Sequence, residues 1–294
     1  MTSVLIDSPL PNKTRGKVRD TYDLGGRLLI VATDRISAFD VILPTGIPDK
    51  GKVLNQMSAW WFEHTRDVVP NHFLRIADGT KADELPFDLP AELVGRSSVV
   101  RKAKRVDVEC IVRGYLSGSA WAEYSRYGTV NGVKMESGLV ESQQLPEPMF
   151  TPTTKAEEGH DEPMTFSDLI QEVGPEPAQV LRLRSLALYN FAAAYARERG
   201  IIIADTKFEF GWYEGELIVI DEILTPDSSR FWGVEEYRPG QPQPSFDKQY
   251  VRDWLSASGW NKEPPAPALP ADVVQGTTER YKEAYRRLTG EEVR

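Results

Sequence analysis

The sequence predicts a chain of mixed α and β structure, and three observations predict it. Short apolar runs separated by tight turns fill the first third, an amphipathic helix spans residues 178–199, and an apolar hairpin with acidic strand ends follows at 201–222. The length of 294 residues fits two domains, taking about 150 residues for each.

Each element has a local reason. Lys17–Tyr22 and Arg27–Thr33 flank Asp23-Leu24-Gly25-Gly26, a hairpin signal. Pro44–Lys52 is turn-rich, and within Val53–Arg66 the residues Leu54, Met57, Trp61 and Phe62 recur at helical spacing, as core. Val99–Val112 carries one or two strands. Residues 140–165, rich in Pro, Thr and Glu, form a long connection of the kind often tied to function. Along 178–199, Val180, Leu183, Ala187, Phe191 and Ala194 mark one face; Arg197 and Arg199 suit the negative helix end, and Gly200 stops it. Two Pro-rich links, Pro239–Pro244 and Pro264–Pro270, bracket an amphipathic segment at Tyr250–Leu255, and a last helix lies near Thr277–Leu288. No internal repeat is present.

A formal net charge of −9 and a pI near 5.1 argue against a nucleic-acid or acidic-membrane surface, so an anionic substrate needs a local basic pocket. The one cysteine, Cys110, excludes an intrachain disulfide and a cysteine-rich zinc site. The start, MTSVLIDSPL, has no signal-peptide pattern, and no apolar run reaches the length of a membrane span. A soluble, cytoplasmic protein is expected.

The hairpin carries the chemistry. Asp205, Lys207 and Glu209 alternate with Thr206, Phe208 and Phe210, so two phenylalanines enter a core while two carboxylates and an ammonium share the other face. A second strand, Leu217–Ile220, ends in Asp221-Glu222. Hard cations take carboxylate oxygens and a lysine neutralises phosphate, so the cluster reads as a divalent cation holding a polyphosphate. For Glu209 and Asp221 to share one metal, a three-residue loop at Tyr213-Glu214-Gly215 is expected, pairing Trp212 with Glu216; a two-residue loop would put Asp221 opposite Phe208, on the wrong face. A polar hairpin that only meets water is the plainer alternative.

Five other segments add weaker signals. Arg15-Gly16-Lys17-Val18-Arg19-Asp20 sets a glycine beside a lysine on a strand, although no phosphate loop of the GxxxxGK[ST] type occurs. Asp34–Asp40 packs two carboxylates, an arginine and Ser37 into a strand exit, and Asp49-Lys50-Gly51-Lys52 reads as a turn. Strand Val108–Val112 delivers Arg113, then Ser117-Gly118-Ser119 opens a helix at Ala120–Tyr127 with Ser119 as N-cap; that end offers N–H groups to an anion. Thr151–Lys155 and His160-Asp161 lie in the long connection. His64, His72 and His160 lack metal-ligand spacing.

Together, RGKVRDTY at 15–22, DRISAFD at 34–40, IPDKGKVLNQMS at 47–58, VECIVRGYLSGSAW at 108–121, FTPTTKAEEGHDEPMTF at 150–166, DTKFEFG at 205–211 and DEILTPDSSRFW at 221–232 resemble the SAICAR synthetase family. Seven motifs in the family's order are highly specific, and the chain resembles the family's longer branch.

The resemblance implies an α+β fold related to ATP-grasp enzymes and protein kinases. A β-rich lobe, residues 1–110, would cover the nucleotide, and a larger lobe, 111–294, would carry metal and substrate. The implied reaction joins L-aspartate to 5-aminoimidazole-4-carboxyribonucleotide with ATP and Mg²⁺, through an acyl phosphate. Gly16, Lys17, Val18, Glu109, Cys110, Ile111, Lys207, Glu209 and Asp221 would hold the nucleotide, with adenine on the backbone of 109–111 and the metal on Glu209 and Asp221. Asp205, Lys207 and Arg230 would be catalytic. Ser37, Asp40, Lys50, Gly51, Arg113, Ser119, Lys155, His160, Asp161, Ser229 and Arg230 would hold the substrates. A monomer is favoured over a homodimer. Two rivals stand beside this reading. A small-molecule kinase would share the Asp-x-Lys strand, and a non-catalytic nucleotide-binding module would not need Glu209 and Asp221 together.

Overall fold

A computed structural model describes residues 4–155 and 161–294. The chain opens with β1 (Thr14–Arg15), β2 (Arg19–Asp23) and β3 (Arg27–Ala32), followed by the small β4 (Ser37–Ala38) and β5 (Val41–Ile42) pair. Helix α1 (Lys50–His64) leads to β6 (Phe73–Ile76) and β7 (Ser97–Arg101). These give an antiparallel sheet in the order β1-β2-β3-β7-β6. Tyr22, Leu29, Val31 and Val99 pack in a core of its own.

The second sheet starts three residues later. It is built from β8 (Lys104–Arg105), β9 (Val108–Tyr115), β12 (Gln144–Phe150), β13 (Thr153–Thr154), β14 (Ile201–Tyr213), β15 (Glu216–Ile220) and β16 (Ser229–Gly233). Between them lie α2 (Gly118–Tyr127), the β10 (Thr129–Val130) and β11 (Val133–Lys134) hairpin, α3 (Phe166–Val173) and α4 (Pro175–Glu198). The chain closes with α5 (Gln249–Ala257) and α6 (Ala271–Thr289). The architecture is α+β with two sheets, and the sheet boundary falls just ahead of the expected division at 110/111.

β14 is the hub. Its thirteen residues pair with β9 and β16 along the first half and with β15 and β8 along the second. Phe208 and Phe210 point inward, fully buried with Trp61, Leu188 and Tyr281 in one core shared by α1, α4 and α6.

Two local expectations are corrected. The buried stripe of α4 runs through Ala178, Leu181, Ser185, Leu188, Ala192 and Ala196, while Leu183 is 54% exposed and Phe191 39%. Apolar residues occupy both stripes, so periodicity alone cannot choose; contact with β14 selects the one with small residues, which lets helix and sheet approach. Second, Ser117 is the N-cap of α2 and Ser119 lies inside its first turn.

The hairpin loop is also shorter than expected. β14 and β15 pair Tyr213 with Glu216 and Trp212 with Leu217, leaving a two-residue loop. Glu214 (φ 50°) and Gly215 (φ 83°) are both left-handed, the signature of a type I′ turn whose twist matches the strands. A methyl group at Gly215 would meet nothing within 4 Å, so Gly215→Ala isolates the conformational term. It is expected to destabilise the fold by about 1 kcal/mol, read as a shift of the urea midpoint at unchanged slope; an unshifted midpoint contradicts the turn assignment.

Candidate active site

The strand pairing assembles the site before any side chain is considered. Asp205 lies opposite Arg113 on β9 and opposite Arg230 on β16, and residues facing each other across strands meet directly. The Asp205 carboxylate accordingly takes Arg113 Nη1 at 3.1 Å and Arg230 Nη1 at 2.5 Å. Arg113 also donates to Thr151 Oγ1 (3.0 Å) and Ser119 Oγ (3.1 Å), so Ser119 serves this arginine rather than the helix end. Burial pulls the Arg113 guanidinium below its ordinary range, whereas Asp205 raises Arg230.

Two residues on, the same strand face carries Lys207 and Glu209. Glu209 is buried and ion-paired to both Lys207 and Lys155. Lys207 Nζ also lies 3.3 Å from Glu109 and 3.7 Å from Asp221. Burial opposes ionisation of Glu209, but the two ammonium groups outweigh it and hold the carboxyl well below its usual range. Burial likewise opposes charge on Lys207, and Glu209, Asp221 and Glu109 together drive its pKa up.

Asp221 reaches this cluster by a route the strand pattern does not show. Ile220 opposite Glu209 ends the ladder, and in the two-residue register an extended Asp221 would face the core with Phe208. Instead its backbone turns left-handed, φ 67°, and leaves the ladder. The carboxylate then meets Lys207 and, at 2.7 Å, Arg19 Nη2 from β2; Arg19 Nη1 stands 3.3 Å from Glu222. The expected companionship of Glu209 and Asp221 around Lys207 therefore occurs without the expected loop.

Beside Lys207 opens a cleft of about 220 Å³. Five cations line it (Arg113, Lys207, Arg230, Lys248, Arg252) against two carboxylates, Asp205 and Asp227, with Ser119, Ser228 and Ser229 between. In an acidic protein this is the local basic pocket that an anionic substrate needs. Lys248 and Arg252, one turn apart at the start of α5, were not singled out in the sequence, nor were Arg19 and Asp227. Their i, i+4 spacing is a faint signal, because which helix face meets the cleft is decided by a contact between distant segments.

The remaining expected residues fall around this centre. Ile111 lines the cleft, Glu109 meets Lys155 and Lys207, and Cys110 lies in the core. The backbone of 109–111 runs between β14 on one edge and β13 with Thr151 on the other. Burial pushes the Cys110 thiol up to about 12, fitting an inert role. Gly16, Lys17 and Val18 form the loop between β1 and β2, and Lys17 Nζ pairs with Asp40 Oδ1 at 2.6 Å. Ser37 lies on β4, half-buried. Lys50 is fully buried and bonded to Asp227 at 2.8 Å, so it touches the cleft only through that carboxylate. Gly51 is explained by packing, since a Cβ there would lie 2.1 Å from Ala32 O. His160 lies outside the described residues, and Asp161 beyond it is exposed. Among the described residues no helix is long and apolar enough to cross a membrane.

Comparison with known proteins bears on the same geometry. A family model described as SAICAR synthetase matches residues 12–267. The phosphoribosylaminoimidazole-succinocarboxamide synthase of Thermodesulfovibrio yellowstonii is 58% identical over 278 residues, 94% of each chain. That of Geobacter metallireducens is 52% identical over 99% of each. The SAICAR-synthase of Saccharomyces cerevisiae, solved complexed with SAICAR, superposes with a TM-score of 0.86 at 45% identity, covering 99% of this chain and 98% of that one. A SAICAR synthetase solved in complex with ADP, 23% identical, shares the fold at a TM-score of 0.71, over 96% of this chain and 99% of that one. With a family model spanning most of its length and relatives more than half identical from end to end, the chain belongs to the SAICAR synthetase family.

Proposed function

We infer that this protein is an ATP-dependent ligase that joins L-aspartate to 5-aminoimidazole-4-carboxyribonucleotide, giving SAICAR, ADP and phosphate in purine biosynthesis. The observation that carries the reading is the single face of β14, where Asp205 with its two arginines adjoins the Lys207–Glu209–Asp221 cluster. A basic pocket for an anionic substrate is thereby joined to a charged cluster suited to polyphosphate.

The chemistry asks for that adjacency. A carboxylate is a poor electrophile until one of its oxygens becomes a phosphate leaving group. Its oxygen attacks the γ-phosphorus and ADP leaves; the aspartate amine then attacks the acyl carbon, loses a proton, and phosphate departs. We assign Arg113, Ser119, Ser229, Arg230, Lys248 and Arg252 to the ribonucleotide, with Asp205 holding the two central arginines in place. Lys17 and Lys207 bind phosphates, and Lys155 with Asp161 lies toward the imidazole. Most of the acceleration is positioning and charge stabilisation between anionic partners.

The donor set fits Mg²⁺. Glu209 and Asp221 are hard oxygen donors gathered about one ammonium, and Mg²⁺ is commonly held by one or two carboxylates with substrate phosphates. The described residues contain no group of three or more His, Cys, Asp or Glu arranged for a metal, in keeping with a cation that arrives with its nucleotide. When bound, it neutralises charge across the phosphates. The five-stranded sheet is proposed as the lobe over the nucleotide and the larger sheet as the lobe for metal and substrate. We further propose that the chain acts as a monomer in the cytoplasm.

Three measurements test this. ADP release with Mg-ATP and the ribonucleotide should require L-aspartate and yield a product heavier by the succinyl addition; aspartate-independent release would favour a kinase. Asp221→Asn should abolish Mg²⁺-dependent turnover while circular dichroism stays native, and near-normal activity would remove Asp221 from the metal site. Arg252→Ala should raise KM for the ribonucleotide by roughly 10- to 100-fold, the effect of losing a charge-assisted hydrogen bond, with KM for ATP unmoved.

A further inference from the structure

The loop at residues 16–18 is held from behind by one arginine. Arg35, only 1% exposed, donates through Nε to Lys17 O (3.1 Å) and through Nη2 to Gly16 O (3.1 Å) and Arg19 O (3.2 Å). Its Nη1 reaches Ile6 O at 2.6 Å, and its charge is met by the buried Asp20 at 2.6 Å. The one carbonyl it omits, Val18 O, accepts from Thr33 N (3.1 Å) and Thr33 Oγ1 (2.8 Å). Every carbonyl from Gly16 to Arg19 is thus drawn toward the protein.

A trans peptide is planar, with its C=O and N–H pointing in opposite directions. Turning the Gly16 and Lys17 carbonyls inward therefore turns the N–H groups of Lys17 and Val18 outward. No hydrogen bond among the described residues uses either N–H, and Gly16 and Lys17 are exposed. Such a surface offers donors and no acceptors, which is what a phosphate chain recognises.

We propose that Arg35 is a positioning residue for ATP: it shapes loop 16–18 into a donor-only surface for the nucleotide phosphates without touching them. The inference rests on the assignment of this loop to the nucleotide. A short strand exit such as DRISAFD gives no hint of it, since in sequence Arg35 reads as a local charge partner.

The test is steady-state kinetics on the intact chain. Arg35→Lys keeps the charge beside Asp20 but cannot fan across three carbonyls. Its KM for ATP should rise about tenfold or more while KM for the ribonucleotide and for aspartate stays within about twofold. Leu29→Ala, a buried change in the same sheet, controls for lost stability and should leave KM for ATP in place. An ATP KM for Arg35→Lys no higher than that of Leu29→Ala overturns the proposal. If Arg35→Lys does not yield folded protein, Thr33→Val decides: about a threefold rise in ATP KM supports the proposal, and no rise overturns it. Lys17→Ala separates the two layers. An unchanged ATP KM there sinks the nucleotide assignment itself, whereas a raised one beside a silent Arg35→Lys sinks only the role of Arg35.

Discussion

The two-residue alternation of β14 is the constraint on which the rest of the structure depends. Because successive side chains take opposite faces, burying Phe208 and Phe210 in the common core obliges Asp205, Lys207 and Glu209 to emerge together on the cleft side. The neighbours follow from hydrogen-bond register. β9 brings Glu109, Ile111 and Arg113 alongside, and β16 brings Arg230. A slip of one residue in either ladder would bury charges and expose rings, so the hydrophobic core itself enforces the alignment of the site.

Electrostatics then completes what register begins. A carboxylate as buried as Glu209 stays charged only because two ammonium groups close on it, and Asp205 is held between two guanidinium groups. Asp227 is treated in the same way by Lys248, Lys50 and the Tyr281 hydroxyl; burial opposes its ionisation, and these partners hold its carboxyl low. Removing one partner from such a set leaves an uncompensated buried charge, which is strongly destabilising, although the intact pair adds little net stability. The cleft is therefore stiff in charge as well as in shape.

What could be read in advance follows the same division. The β14 strand and the α4 helix are legible because each signal is local, period two and period 3.6; Gly16 and Lys17, expected on a strand, instead lie in the loop between β1 and β2. The register of the β14–β15 hairpin is not legible in the sequence because Asp221 does not stay extended: a single left-handed residue takes it off the ladder. The face of α4 was misread because Leu183 and Phe191 are as apolar as Leu181 and Leu188, and only the approach of β14 distinguishes them. Lys248, Arg252 and Arg19 join the site from elements far away in sequence, and no local pattern reports such a meeting. Gly51 has a packing reason that no local pattern reports, since α1 lies almost on the backbone of Ala32.

The crossing of Lys207 among Glu109, Glu209 and Asp221 has a further consequence. At rest Lys207 already serves as counter-ion to three carboxylates, Glu109, Glu209 and Asp221. On the function proposed above, a nucleotide with its cation would enter by exchange rather than by filling a void: these carboxylates would hold the cation, and the ammonium groups they release would meet phosphate.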